Sequence, residues 1–94
     1  KMFIMELVMY EIHNDKTRTK FATFLKRYGR RVQFSVFEVD NSPRILDNML
    51  AEIVSKFNKY FEQSDSVLVY DVKDGSCIGK FGFPVNDDTD LLIM

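Results

Sequence analysis

"FIMELVMYEI", residues 3–12, is apolar on both parities of a strand. Phe3, Met5, Leu7 and Met9 fall on one face, and Ile4, Val8, Tyr10 and Ile12 on the other. Successive strand side chains point to opposite sides, so a strand apolar on both parities is buried on both faces. The architecture then turns on how many helices are available to cover it.

Asn14 or Asp15 is placed to cap a helix, because its side-chain oxygen can accept from the first free amides. Phe21, Phe24, Leu25 and Tyr28 recur at helical spacing, and Gly29 reads as the C-cap. Arg30 to Asp40 reads as a second strand, with Val32, Phe34 and Val36 on one face and Gln33, Ser35, Phe37 and Val39 on the other. Ser42-Pro43 is a strong helix start. A broad apolar stripe follows to about Gln63: Ile45, Leu46, Met49, Leu50, Ile53, Val54, Phe57 and Phe61. Ser66 to Lys73 is a third strand, again apolar on both parities. Asp74-Gly75 is a hairpin turn signal, with Ile78 to Phe83 as the returning strand. Pro84 to Thr89 is a loop, and Leu91 to Met94 a short apolar tail.

This order predicts one α+β domain over residues 1–94, a ferredoxin-like βαββαβ core over about 3–73 with C-terminal strands added over about 74–94. One core strand is hard to place. Either the stretch from Arg30 to Asp40 is bent, or the loop around Gln63 to Ser66 hides a pairing. Two helices cover only one face of a sheet, yet the first and third strands are apolar on both. The simplest second cover is another copy, sheet against sheet, in a two-fold homodimer. Leu91, Leu92 and Ile93 could then add as a strand to a partner's edge.

Composition sets the outer limits. The chain has 94 residues, is 46% hydrophobic, contains nine Phe and carries a formal net charge of -1. That suffices for a folded core and argues against disorder. The charge is unevenly spread. Lys16, Arg18, Lys20, Lys26, Arg27, Arg30 and Arg31 fall in one segment opposed there only by Asp15, while the C-terminal third is acidic. The asymmetry fits a local anion-binding surface, and charge alone fits an ordinary solvated helix face at least as well. The single cysteine, Cys77, excludes an internal disulfide and a cysteine-based zinc site, and reads as a small apolar residue. No apolar run is long enough to span a bilayer, and no charged region followed by a cleavable apolar stretch opens the chain. Cytoplasmic residence without membrane contact is the default expectation.

Glu11 closes the first strand. Near a two-fold axis, two Glu11 carboxylates could share a proton or hold a divalent cation, and magnesium fits the second role. A solvated strand-end acid is the bland alternative. His13 reads as a plain loop residue; with no second histidine, a histidine metal site within one chain is not expected. Lys80-Phe81-Gly82-Phe83 matches only a fragment of the aromatic strand motif of RNA-recognition domains. Ser35 has no neighbouring base in sequence.

Two blocks, "MYEIHNDKTRTK" (residues 9–20) and "FLKRYGRRVQFSVFEVD" (residues 24–40), resemble the small CRISPR-associated adaptation proteins of the Cas-two family. The match runs in order over about residues 3–73, and "RRVQFSVFE" is its most specific part. The resemblance implies a cytoplasmic ferredoxin-like homodimer with facing sheets. It implies a role in spacer acquisition, in which the dimer bridges pairs of the Cas-one integrase and holds a short DNA duplex, the prespacer. Many members are described as magnesium-dependent endonucleases on RNA or DNA, with the acid closing the first strand on the metal.

Carried over, Tyr10 matches the motif tyrosine, Glu11 stands where the family has aspartate, Arg18 and Lys20 match the basic helix start, and Arg31, Ser35 and Phe37 match the second-strand block. Glu11, Tyr10, Arg31 and Phe37 are thus the candidate catalytic residues and Glu11 the candidate metal ligand. The basic segment from Lys16 to Arg31 is the candidate nucleic-acid surface. Glutamate is one methylene longer than aspartate, and magnesium tolerates little departure from octahedral geometry. The departure favours a DNA-binding scaffold over a hydrolase with paired Glu11. A single-stranded RNA module would need a solvent-facing sheet.

Overall fold

In the computed structural model, which describes residues 3–83, five antiparallel strands form one sheet in the order β2-β3-β1-β4-β5. The elements run β1 (Ile4–Glu11), α1 (Asp15–Leu25), β2 (Arg30–Gln33), β3 (Val36–Asn41), α2 (Pro43–Glu52), β4 (Ser66–Asp71) and β5 (Ser76–Gly82). The first four strands and two helices have the ferredoxin-like order, and β5 extends the sheet beyond β4.

The strand that was hard to place lies within residues 30–40. The single strand expected there is two, a hairpin turning at Phe34-Ser35. Arg31 pairs with Phe37 and Gln33 with Val36, and the register shifts between Arg31 and Gln33. The turn holds because the Ser35 carbonyl accepts from the Tyr10 N–H at 3.0 Å, tying it to β1. No glycine, proline or asparagine marks it, so β-branched and aromatic composition ran through the turn unbroken.

Asn14 caps α1, its side-chain oxygen accepting from Thr17 N–H at 2.9 Å, and Ser42 caps α2 by accepting from Ile45 N–H. Gly29 is not the C-cap. The helix ends at Leu25, and Gly29 is required because a Cβ there would lie 2.1 Å from the Glu38 carbonyl oxygen on the neighbouring strand. The second apolar stripe does not form one long helix. Beyond Glu52 the backbone widens into a π-helical turn (Ile53–Phe57) and tightens into a 3₁₀ turn (Asn58–Tyr60), keeping Ile53, Phe57 and Phe61 buried. Gly75 adopts positive φ (67°) in the β4–β5 turn, as Asp74-Gly75 predicts.

The core lies between the helices and one sheet face. Val8, Phe37, Val39, Val67 and Val69 are fully buried there, with Phe21 and Leu25 of α1 and Met49 of α2. The Phe21 ring meets Tyr10 and Phe57 edge-on at 5.2 and 5.1 Å between centroids. On the opposite face, register aligns Leu7 with Glu38 and Tyr70, and Met9 with Val36 and Leu68. Met5, Leu7, Met9, Val36, Leu68 and Tyr70 are half-buried, and neither helix packs on that side. Leu91, Leu92 and Ile93, expected to dock a partner, lie outside the described residues. Among the described residues, no helix is long and apolar enough to cross a membrane.

Candidate functional site at the tip of the first strand

Strand β1 delivers Tyr10 and Glu11 to opposite faces at its tip. Tyr10 points into the helix side and is 6% exposed, while the Glu11 side chain is 71% exposed. Tyr10 forms the floor of a cleft of about 240 Å³ lined also by Arg18, Lys26, Arg31 and Phe34. Burial raises the Tyr10 hydroxyl pKa; Arg31, which bonds to it, and Arg18 pull it partly back. The net shift is upward, so Tyr10 keeps its proton at neutral pH and can donate.

Arg31 is held in this cleft from two sides. Its Nη1 donates to the Phe34 carbonyl at 2.6 Å, and its guanidinium lies 5.2 Å from the centre of the Phe37 ring. Phe37 is fully buried, so its part is to support Arg31 from beneath. Arg18 pairs with Asp15 and donates to the Ile12 carbonyl at 3.0 Å, which fixes it over the β1–α1 turn.

The basic segment is less uniform than its sequence suggests. Arg27 pairs with Glu52 at 3.6 Å and Arg30 with Glu38 at 2.7 Å, both acids arriving from elsewhere in the chain. Among the described residues, Lys16, Lys20, Lys26 and Arg31 have no ion pair. Lys26 and Arg31 flank the Tyr10 cleft; Lys16 and Lys20 line a second groove of about 290 Å³ with Lys56 and Tyr60. Lys56 and Tyr60 were not legible as surface partners because they lie within the apolar stripe, where the chain leaves the regular helix for π and 3₁₀ turns.

On the other side of Arg18 lies an arrangement that sequence reasoning missed. His13 is no plain loop residue. Its main-chain N–H donates to Asp65 Oδ1 at 3.0 Å, and its ring Nδ1 lies 2.8 Å from the same oxygen. Asp65 is fully buried, and its Oδ2 accepts from the Glu62 N–H at 2.8 Å. Burial alone would raise the Asp65 pKa, but the Glu62 N–H and then the His13 donors hold it below the usual range. The opposite edge of the imidazole faces Glu11, with Nε2 3.7 Å from Oε2. Since 52 residues separate His13 from Asp65, no local signal announced the pair. Ser35 contributes a carbonyl to the Tyr10 amide. Cys77 is half-buried, its Sγ 3.5 Å from the Gly79 carbonyl.

Glu6, five residues before Glu11 on the same strand, is 3% exposed. Its Oε1 has no hydrogen-bond partner. Burial, then the charges of Asp71 and Asp47, push its pKa up to about 7.

Magnesium prefers an all-oxygen shell and dehydrates reluctantly. One chain offers it a single exposed carboxylate with an imidazole beside it, and no trio of His, Cys, Asp or Glu converges among the described residues. These residues do not fit a dedicated magnesium site within one chain.

Fold and tip together define a class: a small ferredoxin-like domain with an acid closing its first strand and a cationic cleft beside it. Within that class the chain belongs to the CRISPR associated protein Cas2 family, whose model matches residues 2–77. It is 39% identical over 64 residues to the CRISPR-associated endoribonuclease Cas2 4 of Rhodospirillum rubrum, a match covering 68% of this chain and 49% of that protein. It is 34% identical over 74 residues to the CRISPR-associated endoribonuclease Cas2 2 of Methanospirillum hungatei, covering 79% of this chain and 78% of that one. Over 82 residues it is 28% identical to the CRISPR-associated endoribonuclease Cas2 of Mycobacterium tuberculosis, covering 87% of this chain and 67% of that one. The match thus spans about half the length of the Rhodospirillum relative.

Proposed function

We propose that the protein is a homodimeric, duplex-binding scaffold of CRISPR adaptation, bridging integrase dimers during spacer acquisition. The observation that carries this reading is that Lys16, Lys20, Lys26 and Arg31, cations without an ion pair among the described residues, line two grooves that both border α1. Lys26 and Arg31 border the cleft where Tyr10 can donate, an arrangement suited to phosphate oxygens. Lys26 and Arg31 are exposed cations, contacts that suit the phosphates of a duplex backbone better than base edges. The apolar row Met5, Leu7, Met9, Val36 and Leu68 supports a second copy on the uncovered face, and family membership supports the adaptation role.

Binding of this kind is sequence-tolerant and salt-sensitive. In Lys26→Glu and Arg31→Glu proteins, affinity for a short duplex falls uniformly across sequences. The slope of log affinity against log salt becomes shallower by about one for each phosphate that no longer has a cation beside it. Fluorescence anisotropy over a salt series reads both. An unchanged slope in both variants contradicts the reading.

A second reading, phosphodiester cleavage at Glu11, is favoured by the endoribonuclease names of the relatives and by the exposed carboxylate beside an oriented imidazole. A Glu11→Gln protein that cuts RNA and DNA as fast as the parent removes it.

A further inference from the structure

Where α2 gives way to the π-helical turn (Ile53–Phe57) and the 3₁₀ turn (Asn58–Tyr60), the apolar stripe breaks at one ring. Tyr60 follows Ile53 and Phe57 at a spacing that a regular helix would turn towards the core. Phe57 and Phe61 are buried, yet Tyr60 is 58% exposed. Departures from α-helical geometry of this kind recur at functional sites. The Tyr60 ring lines the groove of about 290 Å³ together with Lys16, Thr17 and Lys20 of α1 and with Lys56, beside the buried Phe57. Glu52 engages Lys56 at 2.9 Å, whereas Lys16 and Lys20 are exposed and without an ion pair among the described residues. Among the described residues no carboxylate lines this groove. Lys59 Nζ lies 5.4 Å from the centre of the Tyr60 ring, so the ring already offers a π-face to a cation.

An exposed aromatic ring beside free ammonium groups is more than phosphate binding needs. The bases of a duplex are stacked on one another and show a protein only their edges, so a duplex lying here would use the lysines and leave the ring idle. An unpaired base uses both: its π-face stacks on the ring whatever its identity, and its phosphate takes the cations. We propose that this groove is a subsite for one unpaired nucleotide of a single strand, with the base stacked on Tyr60 and the phosphate held by Lys16 and Lys20. The proposal deepens the scaffold reading, on which it rests for nucleic acid as the class of ligand. The groove is at the small end of ligand-sized clefts, the scale of a nucleotide and not of a duplex face. It shares no lining residue with the Tyr10 cleft, so either can be lost without the other.

Fluorescence anisotropy on the full chain with two probes tests this: an oligothymidylate of about eight nucleotides and a blunt duplex. Tyr60→Ala weakens binding of the single strand about tenfold, with an unchanged slope of log affinity against log salt, because stacking involves no charge. Its affinity for the duplex stays that of the parent. Tyr60→Phe keeps the ring and retains single-strand binding. Tyr60→Leu keeps apolar bulk without a π-face and loses that binding as Tyr60→Ala does. Lys20→Ala, by contrast, makes the single-strand slope shallower by about 0.7. Both side chains are exposed, so these variants keep the parent's circular dichroism. Single-strand affinity unchanged in Tyr60→Ala, an equal loss for both probes, or a Tyr60→Phe protein as weak as Tyr60→Ala overturns the proposal. A parent that holds the single strand through Tyr60 but binds no duplex upholds the subsite and removes the scaffold reading instead.

Discussion

The two faces of the sheet are built from the same strands and nearly the same residue types, yet they have different fates. Towards the helices, Val8, Phe37, Val39, Val67 and Val69 are shut off from solvent entirely. Towards the other side, Leu7, Met9, Val36 and Leu68 stop half-way. Composition does not separate these sets; cover does. Among the described residues, α1 and α2 both pack on the same face of a sheet that is apolar on two. The helix-covered face is the fold's own core, and the other face is where the proposed second copy would pack.

Phe37→Ala strikes the covered face and carries the largest expected effect, a loss of about 3–5 kcal/mol from the vacated ring volume and the missing floor under Arg31. Urea denaturation measures it. A cost below about 1 kcal/mol would erase the distinction between the faces, since exposed sites behave that way.

Glu6→Gln sharpens the same comparison with charge in place of volume. Glu6 lies on the covered face and Glu11 on the open side of the same strand. Covering raises the Glu6 pKa to about 7 from an ordinary 4.5. Folding therefore favours its protonated form. The native state carries no ionisation penalty below the unfolded pKa, loses stability as pH rises between the two values, and bears the full penalty above about 7. Glutamine never ionises, so Glu6→Gln gains up to about 3 kcal/mol over the parent at alkaline pH, and the gain vanishes towards the unfolded pKa. Chemical denaturation across that range checks the sign; a constant difference would mean Glu6 is not desolvated. Glu11→Gln, in solvent, shifts stability little at any pH.

Legibility followed the range of the interactions. The apolar parities of β1, the Asn14 and Ser42 caps and the Asp74-Gly75 turn are local and were readable. The β2–β3 turn was not, because Phe34-Ser35 carries no glycine, proline or asparagine and is held by Tyr10 of a different strand. Gly29 was read as a helix end when its reason is the Glu38 carbonyl across the sheet. At the site, Tyr10, Arg18 and Arg31 were named from sequence and meet in one cleft. The Asp65 contact that orients His13, and the Glu38 and Glu52 partners of Arg30 and Arg27, come from distant chain and left no trace in the local pattern.

The uncovered face is tested most directly by sedimentation equilibrium of the parent beside Leu7→Glu, the smallest change expected in the fold and the largest in assembly. A charge at Leu7 costs the single chain less than about 1 kcal/mol, because that side is already half-wet. Between two facing sheets it would be buried without a partner. The parent at micromolar concentration should weigh twice the chain mass and Leu7→Glu once, with unchanged circular dichroism. A parent that sediments as a single chain, or a Leu7→Glu protein that still pairs, would contradict the account.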